Sequence, residues 1–308
     1  MELRHLRYFT ALAEILHFTR AAERVHVTQS TLSHQIKQLE DEVGCPLFDR
    51  CGKKVVLTEE GEFFLAYATR ALREIDQGLS ALKHSGDEIS GLVRVGTTHT
   101  FNLSFLPQCI GPFIADYPTV HISVIEDSAN SIEAQLRSGT LDIGITYQPI
   151  DTAGLHFEAL YGEQMVLIAR KDHLFSKRKR VRMAELHRQK MVLLPEEFST
   201  RRMLNQCFKG AGAEPLVVAE MNTIAPIIAL VSRSDVVSIV GGRTLTPNAD
   251  IVAIPLESPT PVRTPGLLWR RDADQSMQVR AFAAHVRTRA LTPSPSRAAA
   301  KREIEDTD

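Results

Sequence analysis

The sequence predicts an α/β chain in three successive parts: a helical unit over residues 1–58, one long helix, and a larger unit of alternating strands and helices. Three patterns carry that reading. Before residue 44, apolar side chains recur at helical spacing in short runs separated by polar turns. From residue 59 to about 84, Leu65, Ala68, Leu72, Ile75, Leu79 and Leu82 repeat at 3-4-3-4-3 spacing, a heptad seam. Beyond residue 91, β-branched runs alternate with helical ones, as β-α-β units do.

In the first part, residues 3–16 form a helix whose Leu6, Phe9, Ala13 and Leu16 face the core. Thr19 is the expected N-cap of the next helix, and Ala21 and Ala22 permit close helix approach. His26 and Val27 form a turn, and Thr28 caps a third helix. There Leu32, Ile36, Leu39 and Val43 make one apolar stripe, ended by Gly44. The opposite face carries Gln29, Ser30, Thr31, Ser33, His34 and Lys37, donors and acceptors suited to base edges in a major groove. Two short strands around Cys51 and Gly52 complete a wing on this helix-turn-helix. Arg50, Lys53 and Lys54 cluster there, placed to touch phosphates without reading sequence. A merely solvated helix face and basic turn are the plainer alternatives. Residues 1–58 hold eight Lys and Arg against seven Asp and Glu, so the case rests on local placement rather than net charge.

Thr58 is the expected cap of the long helix. Such a helix spans ~40 Å, too long for a small domain to bury along its length, so a second copy is the expected cover. Residues 85–87 and 90–91 mark a hinge. Strands are expected at 92–97, 120–126, 141–146, 164–169, 191–194, 217–220 and 236–240, with helices at 103–116, 131–137, 200–209 and 224–231. The repeated β-α-β order predicts parallel sheets in two halves, a Rossmann-like arrangement, with a last strand and helix at 266–289 returning to the first half. The expected boundaries are 1–58, a linker at 59–90, and 91–291. One lobe of this last unit is 91–160 plus 266–291, the other 161–265, and residues 292–308, rich in Pro, Ser and Ala, form a disordered tail.

Composition excludes several classes. At 308 residues, 44% hydrophobic and 24% charged, with net charge −1, the chain reads as an ordinary globular protein. No apolar run approaches the ~18 residues of a membrane span, and MELRHLRYFT lacks the apolar core of a signal peptide, so a cytoplasmic location is expected. Cys45, Cys51, Cys109 and Cys207 have neither zinc-ligand nor disulfide-framework spacing. No phosphate-binding loop, nucleophile elbow or metalloprotease pair occurs, so no enzyme, metal or cofactor is expected.

The strings FTRAAERVHVTQSTLSHQI, QLEDEVGCPLFDR and LTEEG, running in order through residues 3–61, resemble the winged helix-turn-helix of LysR-type transcriptional regulators. SGTLDIGI at 138–145 extends the resemblance over nearly the whole chain. Ser30 stands where the family often has Pro, and His34 where it has Arg or Gln, so the operator cannot be borrowed from relatives. The resemblance implies a periplasmic-binding-protein-like effector domain with a ligand between its lobes. It also implies a homodimer or dimer of dimers, double-stranded promoter DNA as partner, RNA polymerase as a further one, and a small-molecule inducer. LLPEEFSTR and VSRSDVVSIV are similar to the cyanate-operon regulator branch, which points to a small anion or carboxylate. Peroxide-sensing relatives use a cysteine pair in this domain; only Cys207 lies in a comparable region.

In open α/β sheets ligands gather beyond strand carboxyl ends, at helix N-termini. Three hydroxyl-rich loops fall there: Thr98, His99 and Thr100; Phe198, Ser199, Thr200 and Arg201; and Asn222 with Thr223. Thr146 lines the crossover, and Arg201 is expected to add charge for an anion. Simple helix capping is the competing role for each. The KRKR run at residues 177–180 reads as a solvated loop. A transport-type solute-binding protein would also have two lobes, but the N-terminal helices and the lack of a signal peptide argue against it.

Overall fold

The computed structural model describes residues 1–51, 54–83, 89–245 and 250–292. The N-terminal unit is α1 (Leu3–Ile15), α2 (Phe18–Arg24), α3 (Gln29–Val43), an antiparallel pair β1 (Phe48–Cys51) and β2 (Lys54–Leu57), and the start of α4 (Glu59–Lys83). Its core holds Phe9, Leu12, Ala21, Leu32, Ile36 and Leu39, all without solvent exposure. Phe9 lies between Phe48 and Phe64, ring centroids 5.4 and 5.3 Å away, so the wing and α4 close the core. Gly44 ends α3 at φ 82°, a left-handed position that a side chain would strain. Thr19 is not the cap of α2. That role falls to His17, whose Nδ1 accepts from the Arg20 N–H at 3.4 Å.

Along α4 the heptad seam divides. Ala68 is buried and Leu65 and Leu72 are half-buried on the N-terminal core, whereas Ile75 and Leu79 are exposed in the single chain. The side chain of Leu82, residues 85–87 of the expected hinge, and the 293–308 part of the expected tail lie outside the described residues.

The larger unit has three sheets among the described residues, one in the first lobe and two in the second. The first comprises β3 (Gly91–Thr97), β4 (Val120–Glu126), β5 (Ile143–Tyr147) and β6 (Leu155–Ala159), with α5 (His99–Leu103), α6 (Phe105–Asp116) and α7 (Ala129–Ser138). One helix was expected over 103–116; the chain instead breaks at Ser104, and helix begins earlier, at His99. The second lobe contains β7 (Glu163–Arg170), β8 (Val181–Arg182), β9 (Lys190–Leu193), α8 (Ser199–Gly210), β10 (Leu216–Glu220), α9 (Ile224–Val231), β11 (Ser238–Gly241), β12 (Ile251–Glu257) and β13 (Val262–Arg263). The chain then returns through β14 (Pro265–Arg270) and α10 (Met277–Leu291).

In the first sheet the order is β4-β3-β5-β14-β6, and β14 pairs antiparallel with β5 and β6. The return of the last strand and helix to the first half therefore holds, with α10 packing its Phe282 against Phe113 of α6. The expectation of parallel sheets does not hold throughout. β11, β12 and β13 all pair antiparallel with β7, while β9 and β10 run parallel. The two crossings between lobes lie side by side: the Leu160 N–H donates to the Pro265 carbonyl at 2.9 Å.

Candidate nucleic-acid face and inter-lobe cleft

The apolar stripe of α3 turns its other side to solvent. With roughly 100° between successive residues, Ser30, His34 and Lys37 share the line opposite Leu32, Ile36 and Leu39. Gln29, Ser30, Thr31, His34 and Lys37 are exposed and Ser33 is half-buried. Thr28 Oγ1 accepts from the Thr31 N–H at 3.1 Å and also meets the hydroxyls of Ser30 and Thr31 at 3.0 and 2.8 Å, so the cap orders the N-terminal end of this face. Glu40, at the far end, accepts from the Leu47 and Phe48 N–H groups at 2.8 and 3.1 Å and fixes where the wing leaves the helix. Lys54 is exposed on the wing; Lys53 and the side chain of Arg50 lie outside the described residues.

A cleft of 420 Å³ separates the lobes. The start of α5 and α7 approach it from the first lobe, and those of α8 and α9 from the second, because each helix follows the carboxyl end of a strand. Thr98, His99, Thr100, Phe198, Ser199, Thr200, Asn222 and Thr223 line it, so eight of the ten expected residues come together from three separate loops. Two do not. Arg201 lies on the inward stripe of α8 with Leu204 and Phe208, and its guanidinium donates to the Leu194 carbonyl (2.7 Å), Glu220 (2.8 Å) and Asn205 (3.0 Å). It braces α8 instead of facing a ligand. Thr146 is fully buried behind the wall, one residue before the lining Tyr147.

Arg263, which sequence reasoning missed, stands behind three of the lining residues. Its guanidinium stacks on the Tyr147 ring at 4.2 Å and donates to Thr200 Oγ1 at 2.9 Å and Ser199 Oγ at 3.2 Å. Burial lowers its pKa, yet an arginine so placed keeps its charge. Beneath it Glu163 is buried and accepts from the Tyr147 hydroxyl at 2.7 Å and the Arg243 N–H at 3.0 Å. Burial pushes the Glu163 carboxyl above the usual range, against the pull of those bonds. Gly241 makes room for it, since a Cβ there would stand 2.8 Å from the carboxylate. On the first lobe His99 and Asn102 each hold Glu126 at 2.7 Å. Burial raises the Glu126 pKa, but the two hydrogen bonds outweigh it and leave the carboxyl below its ordinary value.

Three buried polar atoms in and behind this wall have no protein partner among the described residues: Thr98 Oγ1, His99 Nε2 and Thr146 Oγ1. Unpartnered buried groups are costly, and a polar occupant of the cleft would satisfy those of Thr98 and His99. None of the cysteines with described side chains lines the cleft. Burial drives the Cys109 thiol up to about 12 and raises Cys207 as well, so neither offers a ready thiolate. Among the described residues, no cluster of His, Cys, Asp or Glu could hold a metal ion, and no helix is long and apolar enough to cross a membrane. The KRKR loop is exposed, with Arg178 paired to Glu185 at 2.8 Å and Arg180 to Glu257 at 3.5 Å.

Two family models match the chain: "Bacterial regulatory helix-turn-helix protein, lysR family" over residues 3–62 and "LysR substrate binding domain" over residues 86–291. The HTH-type transcriptional regulator AlsR of Bacillus subtilis is 35% identical over 234 residues, covering 75% of this chain and 78% of its own. A hydrogen peroxide-inducible genes activator of Dickeya chrysanthemi is 31% identical, covering 88% of this chain and 90% of its own. Among solved structures, full-length OxyR from Pseudomonas aeruginosa superposes with a TM-score of 0.76 at 28% identity, covering 93% of this chain and 98% of that one.

Proposed function

The chain belongs to the LysR family of DNA-binding transcriptional regulators, and from that premise we propose that its effector is a small carboxylate held between the lobes. One observation carries the proposal. Four helix starts and the hydroxyls of Ser199 and Thr200, held by the guanidinium of Arg263, converge on a cleft whose wall also holds Thr98 and His99 atoms without partners among the described residues. Helix N-termini and hydroxyl donors backed by a cation are what a carboxylate needs. The chemistry asked of the site is recognition alone, with no cofactor and no catalytic step.

The ligand contacts on this reading are Thr98, His99, Thr100, Phe198, Ser199, Thr200, Asn222 and Thr223, with Arg263 as counter-charge. An occupant touching both lobes favours one arrangement of them and so shifts the population of DNA-bound states. The DNA contacts are Gln29, Ser30, Ser33 and His34 at base edges, with Thr31 beside its cap and Lys37 further along α3. Arg50, Lys53 and Lys54 sit at phosphates. The exposed Ile75 and Leu79 of α4 support pairing with a second copy, which sets two α3 helices on an inverted-repeat promoter site for RNA polymerase to meet.

Calorimetric titration of the full chain with short carboxylates tests the cleft. Wild type binds at least one of them, and Arg263→Gln weakens that binding by about ten- to a hundredfold, the scale of a lost charged hydrogen bond. Equal affinity in the variant would remove the carboxylate from this site.

A further inference from the structure

The two walls of the cleft differ in charge. The second lobe lines it with one acid and one base, Glu197 and Arg202, and with the hydroxyls of Ser199 and Thr200, which the Arg263 guanidinium holds from behind. Facing them, the first lobe presents Glu126, Glu133 and Asp151. Asp127 also lies there, but it is occupied within its own helix start, accepting from the Ser128 N–H at 2.7 Å and from Ser131 and Gln135. The other three are only partly neutralised. His99 and Asn102 hold Glu126, Arg137 reaches Glu133 at 3.3 Å, and Asp151 accepts the Ala153 N–H at 2.9 Å on an exposed loop. Glu133 is half-buried, and burial, reinforced by the nearby Asp151, raises its pKa despite Arg137. A simple anion entering this cleft would meet a favourable far wall and an unfavourable near one.

We propose that the effector is bipolar: its carboxylate sits at the Ser199 and Thr200 hydroxyls that Arg263 holds, and a cationic ammonium or guanidinium group at its other end lies against Glu126, Glu133 and Asp151. The inference rests on the carboxylate reading above and narrows it to amino-carboxylates with separated charges. A cation against Glu133 also relieves the repulsion between Glu133 and Asp151, a gain that neither a plain carboxylate nor a dicarboxylate obtains. It discriminates by repelling the wrong ligand as well as by attracting the right one.

The test titrates the full chain at physiological salt with three series of four to six carbons: ω-amino acids, unsubstituted carboxylates and α,ω-dicarboxylates. The ω-amino acid of best length binds at least about tenfold tighter than the carboxylate of the same length, and the dicarboxylate binds weakest. Asp151→Asn, on an exposed loop where the fold is not at risk, narrows the gap by weakening the amino acid alone. Glu133→Gln does the same if its thermal unfolding shows an intact domain, and Asp151→Asn decides if it does not. A plain carboxylate or dicarboxylate binding as tightly as the amino acid, with Arg263→Gln still weakening it, overturns the bipolar ligand and leaves the carboxylate reading standing. No binding by any series, or binding by simple alkylamines alone, overturns both.

Discussion

Helix α3 keeps Ser30, His34 and Lys37 in water, whereas the cleft holds Thr98 and His99 with polar atoms out of water and without protein partners among the described residues. Both regions collect uncommitted polar groups, but the energetics differ. On the proposed role, a side chain on α3 exchanges water for DNA at modest cost, so its contribution is small per contact and strongly dependent on salt. The cleft atoms are already desolvated when no ligand is bound, so an occupant that satisfies them gains without further dehydration of the protein. A surface face suits the reading of a long polymer through many weak contacts. A partly dry cleft suits the selection of one small molecule.

The sharpest way to break this contrast is to disturb what holds each region. Ile36→Ala removes a fully buried side chain beneath the outward face of α3 and destabilises the N-terminal unit by about 2–5 kcal/mol, measured by chemical unfolding. A loss under 1 kcal/mol would mean that the face is not braced by that core. Next in size, Thr28→Ala removes the cap shared with Ser30 and Thr31 and costs about 1 kcal/mol of stability. It weakens operator binding more than the stability loss alone explains if the cap orders the face. Lys37→Ala is smaller still: on the phosphate or base role it reduces the slope of log affinity against log salt by about one, and an unchanged slope removes Lys37 from the interface.

The cleft side makes a prediction in pH. Glu163 has a folded pKa raised by burial, so the folded state holds its proton more tightly than the unfolded one. Stability from this group is greatest below the ordinary glutamate value and declines as pH rises through the raised one. Glu163→Gln flattens that decline in a series of thermal unfolding curves. A steeper decline in the variant would show that the carboxylate form, held by Tyr147 and Arg243, is the favoured one.

The two regions were not equally legible. The α3 stripe is local: Leu32, Ile36 and Leu39 announce both the helix and its outward face, and Thr28 and Gly44 mark its ends. The loops of the cleft were also legible, because a strand followed by Thr, Ser or Asn and then an apolar helix is a short-range pattern. Arg263 was not. It reaches Ser199 and Thr200 across more than sixty positions through antiparallel pairing of β13 with β7, which no local periodicity encodes. The antiparallel strands β6 of the first lobe and β12 of the second were hidden for the same reason; they mix charged residues and Pro255 into their runs. Arg201 is different, since a signal was present: it falls in line with Leu204 and Phe208, which places it on the buried side of α8.

Occupation of the cleft and the state of the bound DNA are joined most directly by the bend of a promoter fragment. That bend is read by energy transfer between its labelled ends as a cleft-binding carboxylate is titrated into the full-length complex. The bend changes with ligand in the wild type, with a midpoint matching the calorimetric affinity, and stays fixed over the same range in Arg263→Gln. An unchanged bend at full occupancy of the wild-type cleft, or the same change in the variant, would contradict control of the DNA-bound state from between the lobes.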